Sequence, residues 1–263
     1  MISQELTNFA YHLADLSEVI AKKYFRIPNG EIAKDDDSPV TKADREIEKI
    51  IREEIEKKFP DHGIIGEEYG NHNEDAEFTW ILDPIDGTSS FIIGRPIFGT
   101  LIALTHQKKS ILGVMNQPIT GERWIGISGE SATLNGKKIQ TRNCLELSDA
   151  VMCASSSFHF QNGDEEVLKK ISALTKYQRL GGIIYGGDCY SYASLASGFV
   201  DIVIDPGLKV YDYAALIPII EMAGGVVSNW EGKDLELKSG VRMLASANQT
   251  LHRKALDAIQ KIS

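Results

Sequence analysis

The stretch Trp80-Ile81-Leu82-Asp83-Pro84-Ile85-Asp86-Gly87-Thr88 ends an apolar run in two acids and follows them with a glycine and a hydroxyl. The run reads as a buried strand that stops at Pro84. Carboxylates at the mouth of a buried strand repel each other unless a cation neutralises them. The segment offers oxygen ligands and no sulfur or imidazole, a set that suits a hard ion such as Mg²⁺. The backbone carbonyl of Ile85, between the two acids, adds another oxygen. Gly87 and Thr88 supply unhindered N–H groups at a turn or helix start, where a phosphate binds well. The local chemistry is a metal-assisted phosphate site.

Further acids could join it, and each has a plainer role open to it. Glu67, after Gly66 and a short strand, reads as a water-orienting base or as a solvated loop acid. Asp83 and Asp86 taken singly fit turn chemistry. Asp212 in Val210-Tyr211-Asp212-Tyr213 reads as a helix N-cap that could also ligate metal. Asp44, three residues after Thr41, completes a capping signature. Thr88 is either the first residue of a helix or the hydroxyl that holds an attacking water. Together these groups suggest two or three Mg²⁺ ions that polarise a phosphate monoester and acidify a water for in-line attack. Glu67 would orient or deprotonate that water, and the N–H groups of Gly87 and Thr88 would stabilise the phosphoryl oxygens. No G-x-x-x-x-G-K-[ST] loop, G-x-S-x-G elbow or H-E-x-x-H pair competes with this reading.

The elements that must carry these groups follow from periodicity. Ile2, Leu6, Phe9, Leu13, Leu16, Ile20 and Tyr24 predict an opening amphipathic helix, broken at Pro28-Asn29-Gly30. The polar segment 31–40 carries Asp35-Asp36-Asp37, a solvated loop or a flap over the metals. A second helix opens at Thr41 and buries Ile47, Ile50, Ile51, Ile55 and Phe59. A short strand at Ile64-Ile65, a polar loop at 71–77 and the strand of the acidic motif come next. Strands at 97–105, 111–117 and 122–127 follow in antiparallel order, with turns at 118–121 and Asn135-Gly136. The second half alternates: helix 164–175, a glycine-rich turn at 181–187, helix 188–198, strand 200–205, helix 212–223, strands 225–228 and 242–246, helix 248–261. This predicts a mixed sheet covered by helices. A boundary near residue 147 divides an N-terminal α+β domain, 1–147, from a C-terminal α/β domain, 148–263.

Composition sets limits. The 263 residues are 43% hydrophobic, enough for a normal core, and the net charge of −9 argues against general nucleic-acid binding. An acidic protein that works on phosphate brings its positive charge in as metal. Cys144, Cys153 and Cys189 have no zinc-type spacing and fit free thiols in a reducing compartment. Glu5 and Asp15 argue against a signal peptide, and no apolar run has membrane-spanning length. The expectation is a cytoplasmic protein with no membrane or nucleic-acid partner.

Gly66-Glu67-Glu68, Trp80 through Thr88, Tyr211-Asp212 and Ala223-Gly224-Gly225, in this order and spacing, resemble the inositol monophosphatase superfamily. The resemblance runs from Thr41-Lys42-Ala43-Asp44 to the end of the chain. It implies a layered α-β-α-β-α fold, Mg²⁺-dependent phosphomonoester hydrolysis and a homodimer. It assigns Glu67, Asp83, the Ile85 carbonyl, Asp86 and Asp212 as metal ligands. It makes Asp44 an acid that assists the water near Thr88 and that touches a weak third metal. It places substrate contacts at Gly87, Thr88, Asp188, Asp205 and Asp212. Gly186-Gly187-Asp188-Cys189-Tyr190-Ser191-Tyr192, Gly207 through Asp212 and Leu216 through Glu221 look most like the histidinol-phosphate phosphatase branch, and Thr100 through Leu104 agrees. Asp188 would give an amine or imidazole a charge-assisted partner, although it also fits a helix cap. Where many superfamily members carry a basic residue before the glycine pair, this chain has Ile183-Ile184. Histidinol phosphate is therefore the first expected substrate and myo-inositol monophosphate the second. A non-catalytic binding protein on the same fold is the contrasting class.

Overall fold

A computed structural model of the chain describes residues 2–26, 32–33, 39–40, 42–161, 164–174 and 183–260. Helices α1 (Gln4–Tyr24) and α2 (Lys42–Lys58) precede an eight-stranded sheet. Its strands are β3 (Gly63–Gly66), β4 (Gly70–His72), β5 (Phe78–Asp86), β6 (Gly99–His106), β7 (Lys109–Gln117), β8 (Glu122–Ile127), β9 (Thr133–Leu134) and β10 (Lys137–Lys138), in the order β10-β9-β8-β7-β6-β5-β3-β4. The short helix α3 (Thr88–Ile92) follows β5, and β1 (Ile32–Ala33) pairs with β2 (Pro39–Val40) in a separate ribbon. In the second half, β11 (Met152–Ala154), β12 (Ile184–Tyr185), β13 (Ile202–Leu208), β14 (Val226–Asn229) and β15 (Val241–Ser246) form a sheet of order β12-β11-β13-β15-β14. Its helices are α4 (Asp164–Leu174), α5 (Asp188–Ala196), α6 (Val210–Tyr213), α7 (Leu216–Met222) and α8 (Gln249–Gln260).

Side-chain alternation along the strands sorts the layers. Trp80, Leu82, Ile102, Leu104, Leu112 and Val114 face α1 and α2, which bury Phe9, Leu13, Ile47, Ile51 and Ile55 against them. Ile81, Leu101, Ala103, Met115 and Trp124 face the other way, onto Tyr192, Ala193 and Leu195 of α5 and Leu216, Ile219 and Ile220 of α7. The same core includes Val203, Met243 and Ala245 of the second sheet. That sheet's outer face, with Met152, Ile202, Ile204 and Leu244, is covered by α4 and α8. The result is the α-β-α-β-α sandwich, with one central core built from both halves of the chain.

Several elements depart from the sequence reading. β3 and β5 are parallel, so the first sheet is not wholly antiparallel. The loop expected at 71–77 contributes the edge strand β4, whose residues are all exposed and so give no hydrophobic signal. Pro84 does not end β5. The strand continues to Asp86 through an irregularity in its pairing with β6. The helix expected at 212–223 begins earlier, at Val210, and is broken between α6 and α7. Asp35, Asp36, Asp37, the Thr41 cap and residues 181–182 of the glycine-rich turn lie outside the described residues.

One contact seats the helix layer. Gly113 of β7 pairs with Gly126 of β8, and together they form a hollow in the first sheet. A Cβ on Gly113 would overlap the carbonyl of Ala215, and one on Gly126 would overlap the backbone of Pro218 and Ile219. The backbone of α7 therefore lies directly on the sheet. Ser110 pins the α6–α7 junction by donating its hydroxyl to the Ala214 carbonyl at 2.6 Å. Gly113→Ala should lift this junction and destabilise the protein by about 1–3 kcal/mol in urea unfolding, the usual cost of overpacking. A substitution with no effect would mean that the close approach carries no stability.

Candidate active site

β5 delivers two acids to one place by means of a bulge. Asp83 pairs with Leu101 and Asp86 with Gly99, so three steps on β5 match two on β6. In a regular strand residues three apart point to opposite faces. Here the extra residue re-phases the strand: Ile85 joins Trp80 and Leu82 in the core under α1 and α2, and Asp86 turns to the face of Asp83. Proline, which has no N–H to give the ladder, suits such a position. The buried hydroxyl of Thr100 donates to the Pro84 carbonyl at 2.7 Å and holds the distortion.

The second half brings the third acid. Asp212 is the third residue of α6 and not its N-cap. Its carboxylate reaches back to accept the Lys209 N–H at 2.7 Å. One carboxylate oxygen from each of Asp83, Asp86 and Asp212 lies within 4.8 Å of the others. Asp86 also accepts the Cys189 N–H at 2.6 Å, which ties the start of α5 to the end of β5.

Burial pushes Asp83 well above the usual carboxylate range, and the charges of Glu67, Asp86, Asp212 and Asp44 push it further. Asp86 is raised by burial and by Asp188 and Asp212, against the Cys189 hydrogen bond. Asp212 is raised to about 7, mainly by burial, with Glu67 and Asp188 adding to it and the Lys209 backbone opposing. Glu67 lies outside the three-acid group, yet it is near enough for its charge to act on Asp83 and Asp212. Asp44, in the first turn of α2, is buried and acts on Asp83.

Gly87, with φ of 83°, caps α3, and the Thr88 hydroxyl donates to the Ile85 carbonyl at 3.1 Å. Asp188 is the first residue of α5, after the cap at Gly187, so it is not itself the cap. Its carboxylate lies against Gly87, with Oδ2 2.9 Å from where a Cβ would stand. Burial raises its pKa, against the charge of His159 and a hydrogen bond with Ser155. Asp205 is placed differently from the expected substrate contact. It has no solvent exposure, and its oxygens accept the Ser155 N–H at 2.7 Å and the Tyr192 hydroxyl at 2.9 Å. Burial raises it to about 7. In this conformation it props Ser155 and Tyr192 from behind.

The donor set suits a hard divalent cation. Asp83 Oδ1 is buried and has no hydrogen-bond donor among the described residues, the state of a ligand oxygen whose partner is an ion. Two cavities of about 530 and 660 Å³ lie elsewhere and include none of these carboxylates, so charge and not hollow size locates the site.

The sequence reading missed three supports. Glu48, fully buried on α2, accepts the N–H groups of Glu68 and Tyr69. Thr100 holds the bulge, and the Gly113–Gly126 hollow seats the helices next to Asp212. Of these, only the spacing of Asp44, Glu48 and Arg52 at four-residue steps along one helix face could have been read in advance.

A sequence profile of the inositol monophosphatase family matches residues 2–263. The chain is 43% identical to the bifunctional phosphatase IMPL2, chloroplastic, of Arabidopsis thaliana, over 94% of this chain and 73% of that protein. It is 34% identical to a histidinol-phosphatase of Chlorobaculum parvum, over 95% of each. The solved structure of an inositol monophosphatase from Zymomonas mobilis superposes with a TM-score of 0.88 at 39% identity, covering 98% of this chain and 100% of that one.

The raised carboxylates set the sign of a pH effect. Their folded pKa values exceed the unfolded ones, so the folded state holds extra protons. For Asp212 this stabilisation is complete below about 3.8 and is lost as pH rises through about 7. Asp83→Asn should therefore stabilise the metal-free protein at pH 8, by roughly 1–2 kcal/mol. The same change should abolish the rise in Tm that Mg²⁺ gives the unmodified chain. Thermal unfolding with Mg²⁺ or EDTA checks both, and a variant that is less stable without metal and still responds to Mg²⁺ would contradict the electrostatic account.

Proposed function

Because the chain belongs to the inositol monophosphatase family, we propose that this phosphatase is a Mg²⁺-dependent phosphomonoesterase whose preferred substrate is histidinol phosphate. The observation that carries the metal reading is the meeting of Asp83 and Asp86 with Asp212 around a buried, undonated carboxylate oxygen. Asp83, Asp86 and Asp212 would hold the ions, with Glu67 and the Ile85 carbonyl completing their oxygen shells. Bound divalent ions supply positive charge that polarises the phosphoryl group and acidifies the attacking water.

The chain's own groups order the reactants. The Thr88 hydroxyl donates to the Ile85 carbonyl, so its lone pairs can accept a hydrogen bond from the water and orient it. Glu67 takes one proton from the water as it attacks phosphorus, the bond to the oxygen on the opposite side breaks, and the departing alkoxide takes a proton from solvent. The N–H groups of Gly87 and Thr88, at the start of α3, receive charge from the phosphoryl oxygens. Asp44 adds negative charge behind Asp83, which favours cation binding there.

Asp188 supports the substrate preference. Its carboxylate stands beside Gly87, next to the phosphate seat, and its charge acts on Asp86 and Asp212. Histidinol phosphate brings an amine and an imidazole to such an acid, whereas inositol phosphate brings neutral hydroxyls. The relative named histidinol-phosphatase favours the first substrate, and the Zymomonas mobilis neighbour favours myo-inositol monophosphate as the second. In this reading the protein works as a cytoplasmic homodimer. No described helix is long and apolar enough to cross a membrane, and the edge strand β12 exposes Ile184 and Tyr185 for a second copy.

Phosphate release from both substrates, with Mg²⁺ and with EDTA, tests the reading. Turnover should require Mg²⁺, and kcat/KM should be higher for histidinol phosphate. Asp188→Asn should lower kcat/KM for histidinol phosphate about tenfold more than for inositol phosphate, the worth of one charge-assisted hydrogen bond. Equal losses would remove the preference, and absence of Mg²⁺-dependent turnover on either would remove the enzyme.

A further inference from the structure

Asp44, Glu48 and Arg52 occupy one face of α2 at four-residue steps, and the face is turned toward the site. Asp44 acts by its charge on Asp83. Glu48 has no solvent exposure and every one of its identified partners belongs to the turn that presents Glu67 or to α2 itself. Its Oε2 accepts the Glu68 N–H at 2.7 Å, and its Oε1 accepts the Tyr69 N–H at 3.1 Å and the Arg52 Nε–H at 2.8 Å. Arg52 in turn donates to the carbonyl of Gly70, on the far side of the same turn. Gly66 leaves the room: a Cβ there would overlap the Glu48 carboxylate and crowd the Arg52 guanidinium.

The turn from Glu68 to Gly70 is thus held at both ends by one ion pair, fully buried at Glu48 and largely covered at Arg52. Glu67 directly precedes the first held amide and follows the glycine whose missing Cβ makes room for the Glu48 carboxylate. It is not one of the three acids whose oxygens lie within 4.8 Å of one another, yet its charge acts on Asp83 and Asp212, so the placement of the turn governs whether it can share an ion with them. A buried carboxylate that accepts three hydrogen bonds is stable and rigid, and its loss would leave the turn's N–H groups without their acceptor. The geometry points to Glu48, backed by Arg52, as a positioning residue that sets the reach of Glu67 and through it the affinity for Mg²⁺. This rests on the metal-dependent reading above and adds a part of the machinery outside the ligand set.

Two substitutions test it by different routes. Glu48→Gln keeps the volume and removes the charge, leaving one carbonyl oxygen for two backbone donors. Gly66→Ala keeps every charge and pushes the carboxylate out of its seat. In both, calorimetric titration with Mg²⁺ alone should show affinity weakened about 10- to 100-fold, the usual effect of changing a group that orients a ligand. The kcat at saturating Mg²⁺ should fall by a smaller factor than the Mg²⁺ affinity does. Hydrogen exchange of the Glu68 and Tyr69 amides in the metal-free protein should speed up. Unchanged Mg²⁺ affinity in folded variants overturns the inference, and so does a lower Tm with Mg²⁺ affinity intact, which would make the pair merely structural. Should Glu48→Gln fail to fold, Gly66→Ala decides. If the unmodified protein binds no Mg²⁺ at all, the metal reading itself is lost, a different outcome from a variant that matches it.

Discussion

Asp83, Asp86 and Asp212 repel one another, and the fold holds them together from two directions. Asp83 and Asp86 are fixed by a bulged strand that is paired on both sides. Asp212 is fixed by a helix start that its own carboxylate helps to close. Neither half can relax without breaking backbone hydrogen bonds or emptying a buried core. Burial first, and this repulsion with it, raise the carboxylate pKa values, and a proton or a cation relieves both. Protons and a bound cation would compete for the same oxygens, so affinity for such an ion would rise with pH in the range where Asp212 titrates, near 7.

The bulge in β5 is the smallest element on which this depends. It turns an odd spacing of three into two side chains on one face, and it does so at the one residue type that has no N–H to lose. The compensation is local: Ile85 fills the core on the opposite face, and Thr100 satisfies the carbonyl that the bulge would leave buried. The Gly113–Gly126 hollow plays the matching part for the second half. It lets α7 lie on the sheet at backbone contact and so brings α6 and Asp212 up to β5.

Much of this was legible in the chain. The helical spacing of Ile2 through Tyr24, the Asn135-Gly136 hairpin and the alternation after residue 147 each rest on local physics; the helix and the hairpin formed, and the alternation formed with its 212–223 helix split in two and with β11 and β12 added. The grouping of acids in the opening motif was visible because carboxylates at the end of an apolar run are rare without a purpose. What local pattern could not show was pairing. Pro84 looked like a stop because a proline ends a regular strand, and only the partner strand β6 turns it into a bulge. Asp212 looked like a cap because nothing nearby shows that the helix begins at Val210, where the preceding strand β13 hands over directly. Glu48 was legible only as a spacing, four residues from Asp44 and from Arg52, and not as a support, since a glutamate on an amphipathic helix ordinarily faces water; its partners lie about twenty residues on, in a turn defined by the sheet. β4 escaped because an edge strand with no buried side chain has backbone pairing as its only signature.

The division between scaffold and site also fixes what a metal can and cannot do here. In small metal-stapled domains the ion supplies the folding energy, because no sufficient core exists without it. This chain has three buried clusters, and the central one draws on the first sheet, the helices α5 and α7 and the second sheet together. The two halves are therefore joined by apolar burial before any ion binds. The acids can be held in mutual repulsion only because that core is large enough to bear it. The ion's free energy is then available for shaping the charge of the site and not for assembling the protein. Under the metal-dependent reading, the fold would already be in place to receive the ions that its acids would hold.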